Sequence, residues 1–452
     1  MEELAEVLRR GGVVGAGGAG FPTYVKLSGR AEYLIANGAE CEPLLQKDRA
    51  LLLAHPEEVR EGIKAAGGAV GARKAYLAVK EKHTEVLRTL QEALRGEDSV
   101  EIAPLPDVYP VGDEIVLVYE TLARVVPPGE LPGRVGVVVQ NVETLYNVGR
   151  AIGGLPVTDK YLTVTGRVRK PVTLRVPIGT PFTRVLELAG GPIDEEYRLL
   201  VNGPMMGDLA EDLGGPVTKT TSALIVLPAV HPVAVMKQKP LGQIVRLAAS
   251  VCTSCSHCSE TCPRGLLGHP IRPHLLMRAV GYHGVPEEGR TYTEPLVSLY
   301  FSTRYCVGCG TCDLVCPMGL APRAVCTYIK KMFSGREGPR REGRGPSPAR
   351  SGRRMPTARV LQKLGLESFQ KLPTPLVEVD KEAVGKVRLL LRQGIGGPAV
   401  PLVRPGQGVR RGEMVAGPPE EGLGVALHAS IDGKVAAVTE REIVIENRGG
   451  AS

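Results

Sequence analysis

Up to about residue 155 the apolar positions of the chain follow two alternating patterns. Short unbroken runs, YLIAN at 33–37, AYLAV at 75–79 and VGVVV at 135–139, read as strands covered on both faces, where no polar alternation is needed. Stretches with helical spacing separate them and predict helices near 57–66, 82–95, 113–124 and 141–152. Asp113 and Asn141 stand at two of these starts, where a short polar side chain can accept hydrogen bonds from the free amides of a first turn. Strands alternating with helices make residues 1–155 an α/β domain.

The pattern then changes. Residues 158–230 hold short strands (YLTVTG, VTLRV, RLLVNG, ALIVL) around one helix, FTRVLELAG, with glycine- and proline-rich turns, and predict a small α+β module. Residues 240–330 are dominated by cysteine, and GHPIRPHLLMRAV between two cysteine runs predicts a helix. Residues 330–354 carry nine Lys or Arg against Glu337 and Glu342 in a Gly-, Pro- and Ser-rich background, so 331–356 is expected to be a flexible basic linker. A helix near Thr357 to Leu364 leads into an all-β module at 374–446, where PLVRPGQGVRRGEMV and LHASIDGKVAAVTEREIVI read as the halves of a barrel-sandwich hybrid. Biotinyl and lipoyl carriers place a lysine on the hairpin between such halves. Here that hairpin reads GPPEEGLG and Lys434 follows the turn, which excludes a swinging arm. The expected fold class is therefore multidomain: α/β, α+β, helical and all-β in turn.

Charge and cysteine usage narrow the chemistry. The 452 residues carry a net charge of +8, nearly all of it in the 330–354 run, so no folded basic face suggests nucleic acid. Eight of the ten cysteines form two copies of C-x2-C-x2-C-x3-C-P, Cys252 to Pro263 and Cys306 to Pro317. Three cysteines at that spacing wrap one 4Fe-4S cluster, and in two-cluster ferredoxins the fourth serves the other cluster. The expected metal ligands are Cys252, Cys255, Cys258 and Cys316 for one cluster, and Cys306, Cys309, Cys312 and Cys262 for the second. Two four-thiolate zinc sites are the competing reading, although these come more often as separated CxxC pairs. Cys41 and Cys326 remain as small buried thiols. Unpaired thiols suit a reducing compartment. MEELAEVLRR lacks the apolar core of a signal peptide, and the longest apolar stretch, near 223–230, is too short to cross a bilayer. The expectation is a cytoplasmic protein, within a microcompartment or peripheral to a membrane. His269 and His274, on the predicted inter-cluster helix, are expected to cap or face solvent rather than bind a metal.

Gly15 to Gly20 satisfy G-x-G-x-x-G, but a dinucleotide fingerprint follows a strand and opens a helix, whereas here a helix-like LAEVLRR precedes and Phe21-Pro22 closes the loop. What remains is a run of small residues whose backbone amides can approach an anion, with Lys26 just beyond. GAGGAGFPTYVK, NGAECEP, YPVGDE and VVVQNVETL resemble the FMN-binding domain shared by the NADH-oxidising subunit of respiratory complex I and the RnfC subunit of the Rnf complex. The resemblance implies an FMN site at Gly15, Gly17, Gly18, Gly20, Lys26, Asn37, Glu40, Tyr109, Gly112, Asp113, Glu114, Asn141 and Thr144, with Phe21 left to stack a nicotinamide. VTGRVRKPVTLRVPIGTP followed by NGPMMG resembles the SLBB β-grasp domain. The module order, with the sandwich last, is most similar within the RnfC-like family to the PduS-type cobalamin reductases.

Two departures from the complex I pattern stand out. Where the complex I subunit has NADES this chain has Asn37, Gly38, Ala39, Glu40 and Cys41, so an acidic and a hydroxyl flavin contact are missing, and Leu27, Ser28 and Gly29 replace a second nicotinamide-stacking aromatic, so FMN is expected more strongly than a tight NADH site. The resemblance implies an oxidoreductase passing electrons from NADH through FMN and two 4Fe-4S clusters to cobalamin, with no catalytic acid or base among its side chains. Its partner would be a corrinoid, a corrinoid-processing enzyme or another redox enzyme. A donor to a proline-reductase-type enzyme and an RnfC-like component of a membrane electron-transport complex are the alternatives.

Overall fold

The computed structural model describes residues 2–339 and 341–447. The N-terminal module is a parallel four-stranded sheet in the order Val100–Leu105, Lys74–Lys80, Tyr33–Asn37, Val137–Asn141. Helices occupy Pro56–Val70, Thr84–Ala93, Glu114–Leu122 and Val142–Ile152, and the Asp113 and Asn141 side chains cap the last two, accepting from Ile115, Val116 and Glu143 amides. The edge strand Val100–Leu105 and the helix Lys47–Ala54 have no counterpart in the sequence reading. The strand is half exposed, so its apolar run is broken by Glu101. Helices Pro56–Val70 and Val142–Ile152 pack so closely that a β-carbon on Gly62 would lie 1.8 Å from the Leu145 carbonyl oxygen.

The second module is a sheet in the order Leu376–Glu378, Val172–Pro177, Asp159–Gly166, Ala223–Pro228, Tyr197–Val201, Asp208–Leu209, with helix Phe182–Leu188 burying Phe182, Val185 and Leu186 against it. Its first strand comes from the C-terminal module and runs parallel to Val172–Pro177. The cysteine-rich module is helical: Leu241–Val251, Pro273–His283 and Pro322–Met332 pack on Tyr300 and its neighbours. Its central helix starts at Pro273 rather than 268, because proline suits a first helical position and Gly268 sits at φ +92°. His269 is consequently off the helix. The C-terminal module has two antiparallel sheets, one of four strands and one of three. Its apolar core is continuous with that of the first module, joining Leu8, Val13 and Leu34 to Val387, Val415 and Ile443.

Several residues of the segment expected to be a flexible tether bond to the modules beside it. The Arg344 and Ser347 amides donate to the Gly268 and Leu266 carbonyls at 2.9 Å each. Arg350 forms a largely buried ion pair with Glu120, Arg353 pairs with Glu260 at 2.6 Å, and Met355–Pro356 pairs antiparallel with Val108–Tyr109. Its composition discourages helix, but a chain with enough guanidinium and amide partners needs no helix to be held.

Lys219 ties three modules together. From the second module its buried ammonium donates to the Gly12 carbonyl at 2.7 Å and the Ala426 carbonyl at 3.1 Å, with no carboxylate partner among the described residues. Burial lowers it from 10.5 to about 7. Between those values the unfolded chain binds more protons than the folded one, so this group's contribution is full above 10.5 and is lost as pH falls through 7. The melting temperature should rise with pH across that window relative to Lys219→Met. Parallel melting curves for the two proteins would show that Lys219 stays ionised against its carbonyls.

Candidate redox site

A cavity of about 410 Å³ opens at the C-terminal ends of Tyr33–Asn37 and Val137–Asn141, and every flavin residue singled out in the sequence lines it: Gly15, Gly17, Gly18, Gly20, Phe21, Lys26, Asn37, Glu40, Tyr109, Gly112, Asp113, Glu114, Asn141 and Thr144. This is within the size range of cofactor sites, about 300–1,000 Å³. The glycine loop is closed by a Val14–Pro22 bridge and by the Gly15 amide donating to Phe21 O at 2.9 Å. Its second residue is held by Thr144, whose hydroxyl accepts from the Ala16 amide at 2.9 Å. From behind, the C-terminal module supports the loop through the Ile395 amide on Ala19 O, and a β-carbon on Gly20 would lie 2.7 Å from Gly394 Cα.

The donor chemistry fits FMN. Among the described residues, no intramolecular acceptor meets the amides of Gly17, Gly18, Ala19 or Gly20, and Gly18 at φ +143° has open space where a side chain would stand. Such a concave set of amides suits a phosphate. Gln140, buried on the cavity wall, has an Nε2 without a partner among the described residues, as a ring-edge acceptor would require. Lys26 donates to Glu114 Oε1 at 2.6 Å and to Val139 O at 2.9 Å, which holds the ammonium at the wall. The Asn37 amide bridges Gly112 O and the Ala39 amide. Glu40 accepts from the Asp48 and Arg49 amides, and desolvation raises its carboxyl to about 7. Cys41 accepts from the Gly112 amide, and burial raises its thiol to about 12.

Beneath the loop lies a buried ion network. Glu143 Oε2 accepts from Lys47 at 2.9 Å and from Lys160 of the second module, and Lys47 also meets Asp48 at 2.5 Å. Asp48 in turn accepts from Asn141 Nδ2 at 2.9 Å, and Lys160 reaches the Ala16 carbonyl. Burial opposes ionisation of Glu143, and the two ammonium groups overcome it and lower its carboxyl. Sequence reasoning missed Lys47, Asp48, Gln140, Glu143 and Lys160. Gln140 and Glu143 lay inside a quoted motif, but nothing local reveals a partner more than 90 residues away.

The cysteines form two neighbourhoods. Burial raises the Cys258 thiol to about 12, helped by Cys316, Cys255 and Cys252 beside it. Burial likewise raises Cys312, with Asp313, Cys309, Cys306 and Cys262 adding to the effect. The chain thus exchanges its fourth cysteines between neighbourhoods. The first is the outer one, with Cys255 exposed and the rest half-buried, whereas Cys262, Cys309 and Cys312 of the inner one are buried. Cys326 is buried in the inner neighbourhood and its thiol hydrogen-bonds Cys306, drawing the latter down to about 7. The histidines are occupied elsewhere: His269 Nε2 meets Val126 O at 3.1 Å, and His274 Nδ1 meets Ser259 Oγ at 2.7 Å.

The inner neighbourhood abuts the flavin cavity. Val307 and Cys309 are part of the cavity wall, and the buried Tyr109 hydroxyl donates to Cys309 O at 2.6 Å. Arg264, two residues past Cys262, also lines the cavity and pairs with Asp113 at 2.9 Å. Glu42 accepts from the Met205 and Met206 amides, bringing the second module's NGPMMG turn against the same wall. Glu143→Gln should leave the buried Lys160 ammonium without a carboxylate and Lys47 with Asp48 alone, at a cost of about 3–5 kcal/mol, and lower the melting temperature, with Lys160→Met in addition restoring part of the loss. An unchanged melting temperature for Glu143→Gln would remove the network from the structural account.

Four family matches tile the chain: a Nuo51 FMN-binding domain at 8–150, an SLBB domain at 161–209, a 4Fe-4S dicluster domain at 251–321 and an RnfC barrel sandwich hybrid domain at 374–450. Cobalamin reductase PduS of Salmonella typhimurium is 40% identical over 448 residues, covering 98% of this chain and 96% of that protein. One component of the Na(+)-translocating ferredoxin:NAD(+) oxidoreductase complex of Acetobacterium woodii is 34% identical over 268 residues, 58% of each chain. Among solved structures, an NAD+-reducing NiFe hydrogenase matches with a TM-score of 0.49 and 24% identity, covering 74% of this chain and 62% of that one. With near-complete coverage in both directions, the chain belongs to the cobalamin reductase PduS family and is an oxidoreductase whose cofactors are FMN and 4Fe-4S clusters.

Proposed function

We propose that the protein oxidises NADH at the flavin cavity and passes the electrons, one at a time, through an inner and then an outer 4Fe-4S cluster to a corrinoid. The observation that carries the order is that Cys309 and Val307 belong to the flavin cavity wall while Cys255 is exposed. Cys306, Cys309, Cys312 and Cys262 are assigned to the inner cluster, and Cys252, Cys255, Cys258 and Cys316 to the outer one. When bound, FMN converts a two-electron donor into single electrons and each cluster carries one. NADH leaves as NAD+ with release of one proton, and its two electrons lower two cobalt centres by one unit each.

The side chains bind and orient rather than exchange protons. The free amides of Gly17 to Gly20 would hold the phosphate, Lys26 and Gln140 on the cavity wall would hold the ring, and Phe21 is the aromatic available to a nicotinamide. No helix among the described residues is long and apolar enough to cross a membrane. We place the protein in the cytoplasm, where a microcompartment or membrane surface remains accessible to it.

Anaerobically purified protein should contain about eight iron and eight sulfide, as two 4Fe-4S clusters demand, and stoichiometric zinc without sulfide would refute the assignment. Denaturation should release FMN. Lys26→Ala should lose flavin and keep both clusters, and Cys262→Ser should damage the inner cluster although it lies in the first cysteine run.

With NADH and hydroxocobalamin the holoprotein should form cob(II)alamin. Cys255→Ser should retain bleaching of the flavin by NADH and lose most corrinoid reduction. Rapid corrinoid reduction by the flavin-free variant would break the proposed order. No corrinoid reduction, with fast transfer to a proline reductase or to membrane subunits, would overturn the choice of acceptor.

A further inference from the structure

A second cavity, of about 570 Å³, has Cys316 in its wall and neighbours the flavin cavity, since Met205 and Gly310 line it while Met206 and Cys309 line the other. Helices Pro232–Gln238, Leu241–Val251 and Pro322–Met332 and the second module's Met205 turn enclose it. Val233, Ile244 and Met205 contribute a buried apolar wall, with Met236 and Leu314 beside them. Lys237, Lys239, Arg323 and Lys363 also line it, against the carboxylates of Asp208 and Asp313. Both carboxylates are partly engaged: Asp313 accepts from the Arg323 amide at 2.7 Å, and Asp208, 83% exposed at its side chain, stands 3.8 Å from the Arg323 guanidinium.

Three properties coincide here. The cavity touches a ligand of the outer cluster, where electrons leave under the proposed order. It is large enough to seat a substantial part of a small-molecule acceptor. Its combination of apolar wall and surplus cations suits a ligand that joins an extended apolar ring to an anionic group. A corrinoid with its phosphodiester arm has that chemistry, whereas a simple anion would have no use for the apolar wall.

We propose that this cavity is the corrinoid acceptor site, with an edge of the macrocycle against Val233, Met236 and Leu314 and the phosphodiester toward Lys237 and Lys363. The assignment rests on the corrinoid reading above. Donor and acceptor then occupy separate cavities joined by the two clusters, and each delivered electron converts one cob(III)alamin to cob(II)alamin, with NADH as the reductant.

The test uses the holoprotein with hydroxocobalamin and with a cobinamide, which lacks the phosphodiester arm. Met236→Glu and Lys363→Glu should each raise the KM for hydroxocobalamin about tenfold or more. NADH-dependent ferricyanide reduction, flavin content and iron content should stay unchanged. Wild-type protein should prefer hydroxocobalamin to the cobinamide, and Lys363→Glu should erase that preference. Hydroxocobalamin should not compete with NADH. Wild-type corrinoid reduction with unaltered KM in both variants would place the acceptor elsewhere while leaving the function intact. Absence of corrinoid reduction by the wild type would overturn both readings.

Discussion

The first two modules share a buried carboxylate. Glu143 lies between Lys47 of the flavin module and Lys160 of the β-grasp module, and all three are almost completely removed from water. Desolvation makes such a network a weak source of net stability, but breaking it leaves an uncompensated buried charge. The partners are therefore confined to one arrangement. Lys160 reaches the Ala16 carbonyl and Thr144 receives the Ala16 amide, so the same arrangement fixes the glycine loop from both ends of one residue. A module that looks separable in sequence thus helps hold the phosphate cradle in shape.

Exchange of the fourth cysteines has a comparable effect on the electron path. Cys262 lies in the first run but is neighboured by Cys306 and Cys309, and Cys316 lies in the second run but is neighboured by Cys258. With the fourth cysteines exchanged as proposed, neither cluster would be assembled by one half of the module alone. Tyr109 and Arg264 extend this constraint to the flavin cavity, one through the Cys309 carbonyl and the other through Asp113. Because electron transfer weakens steeply with separation, a rigid path matters more here than any single acid or base.

The features legible in the sequence were those carried by local spacing. Cysteine runs, the glycine loop, the capping residues Asp113 and Asn141 and the buried strands all announce themselves within a dozen residues. Features that depend on distant partners did not. Leu376–Glu378 is only three residues long and becomes a strand by pairing with Val172–Pro177. The basic segment read as a tether because Gly, Pro and Ser describe what a chain will not form, not what it will bond to. Its Arg350 reaches Glu120, 230 residues earlier. Gln140 was visible as a letter in a motif, but its orphaned amide could be recognised only once the cavity around it was known.

That same segment changes the meaning of the net charge. Arg350 and Arg354 share Glu120 and Arg353 pairs with Glu260, so the three arginines act as fasteners to the flavin and cysteine modules while two of their three charges are balanced. Arg341 and Arg344 instead remain exposed and, with Arg272, line a groove beside Ser256 and Ser259, on either side of Cys258 in the sequence, which is proposed to bind the outer cluster. Arg272, Arg341 and Arg344, with Glu342 beside them, thereby leave a positive balance near Cys258, a proposed ligand of the outer cluster. A field of that sign raises the encounter rate of anionic molecules at low ionic strength and loses its reach within about 10 Å at 0.1 M salt. It therefore favours approach of an acceptor at the end of the path where electrons are proposed to leave, while the ion-paired arginines of the same segment keep that end in register with the flavin cavity.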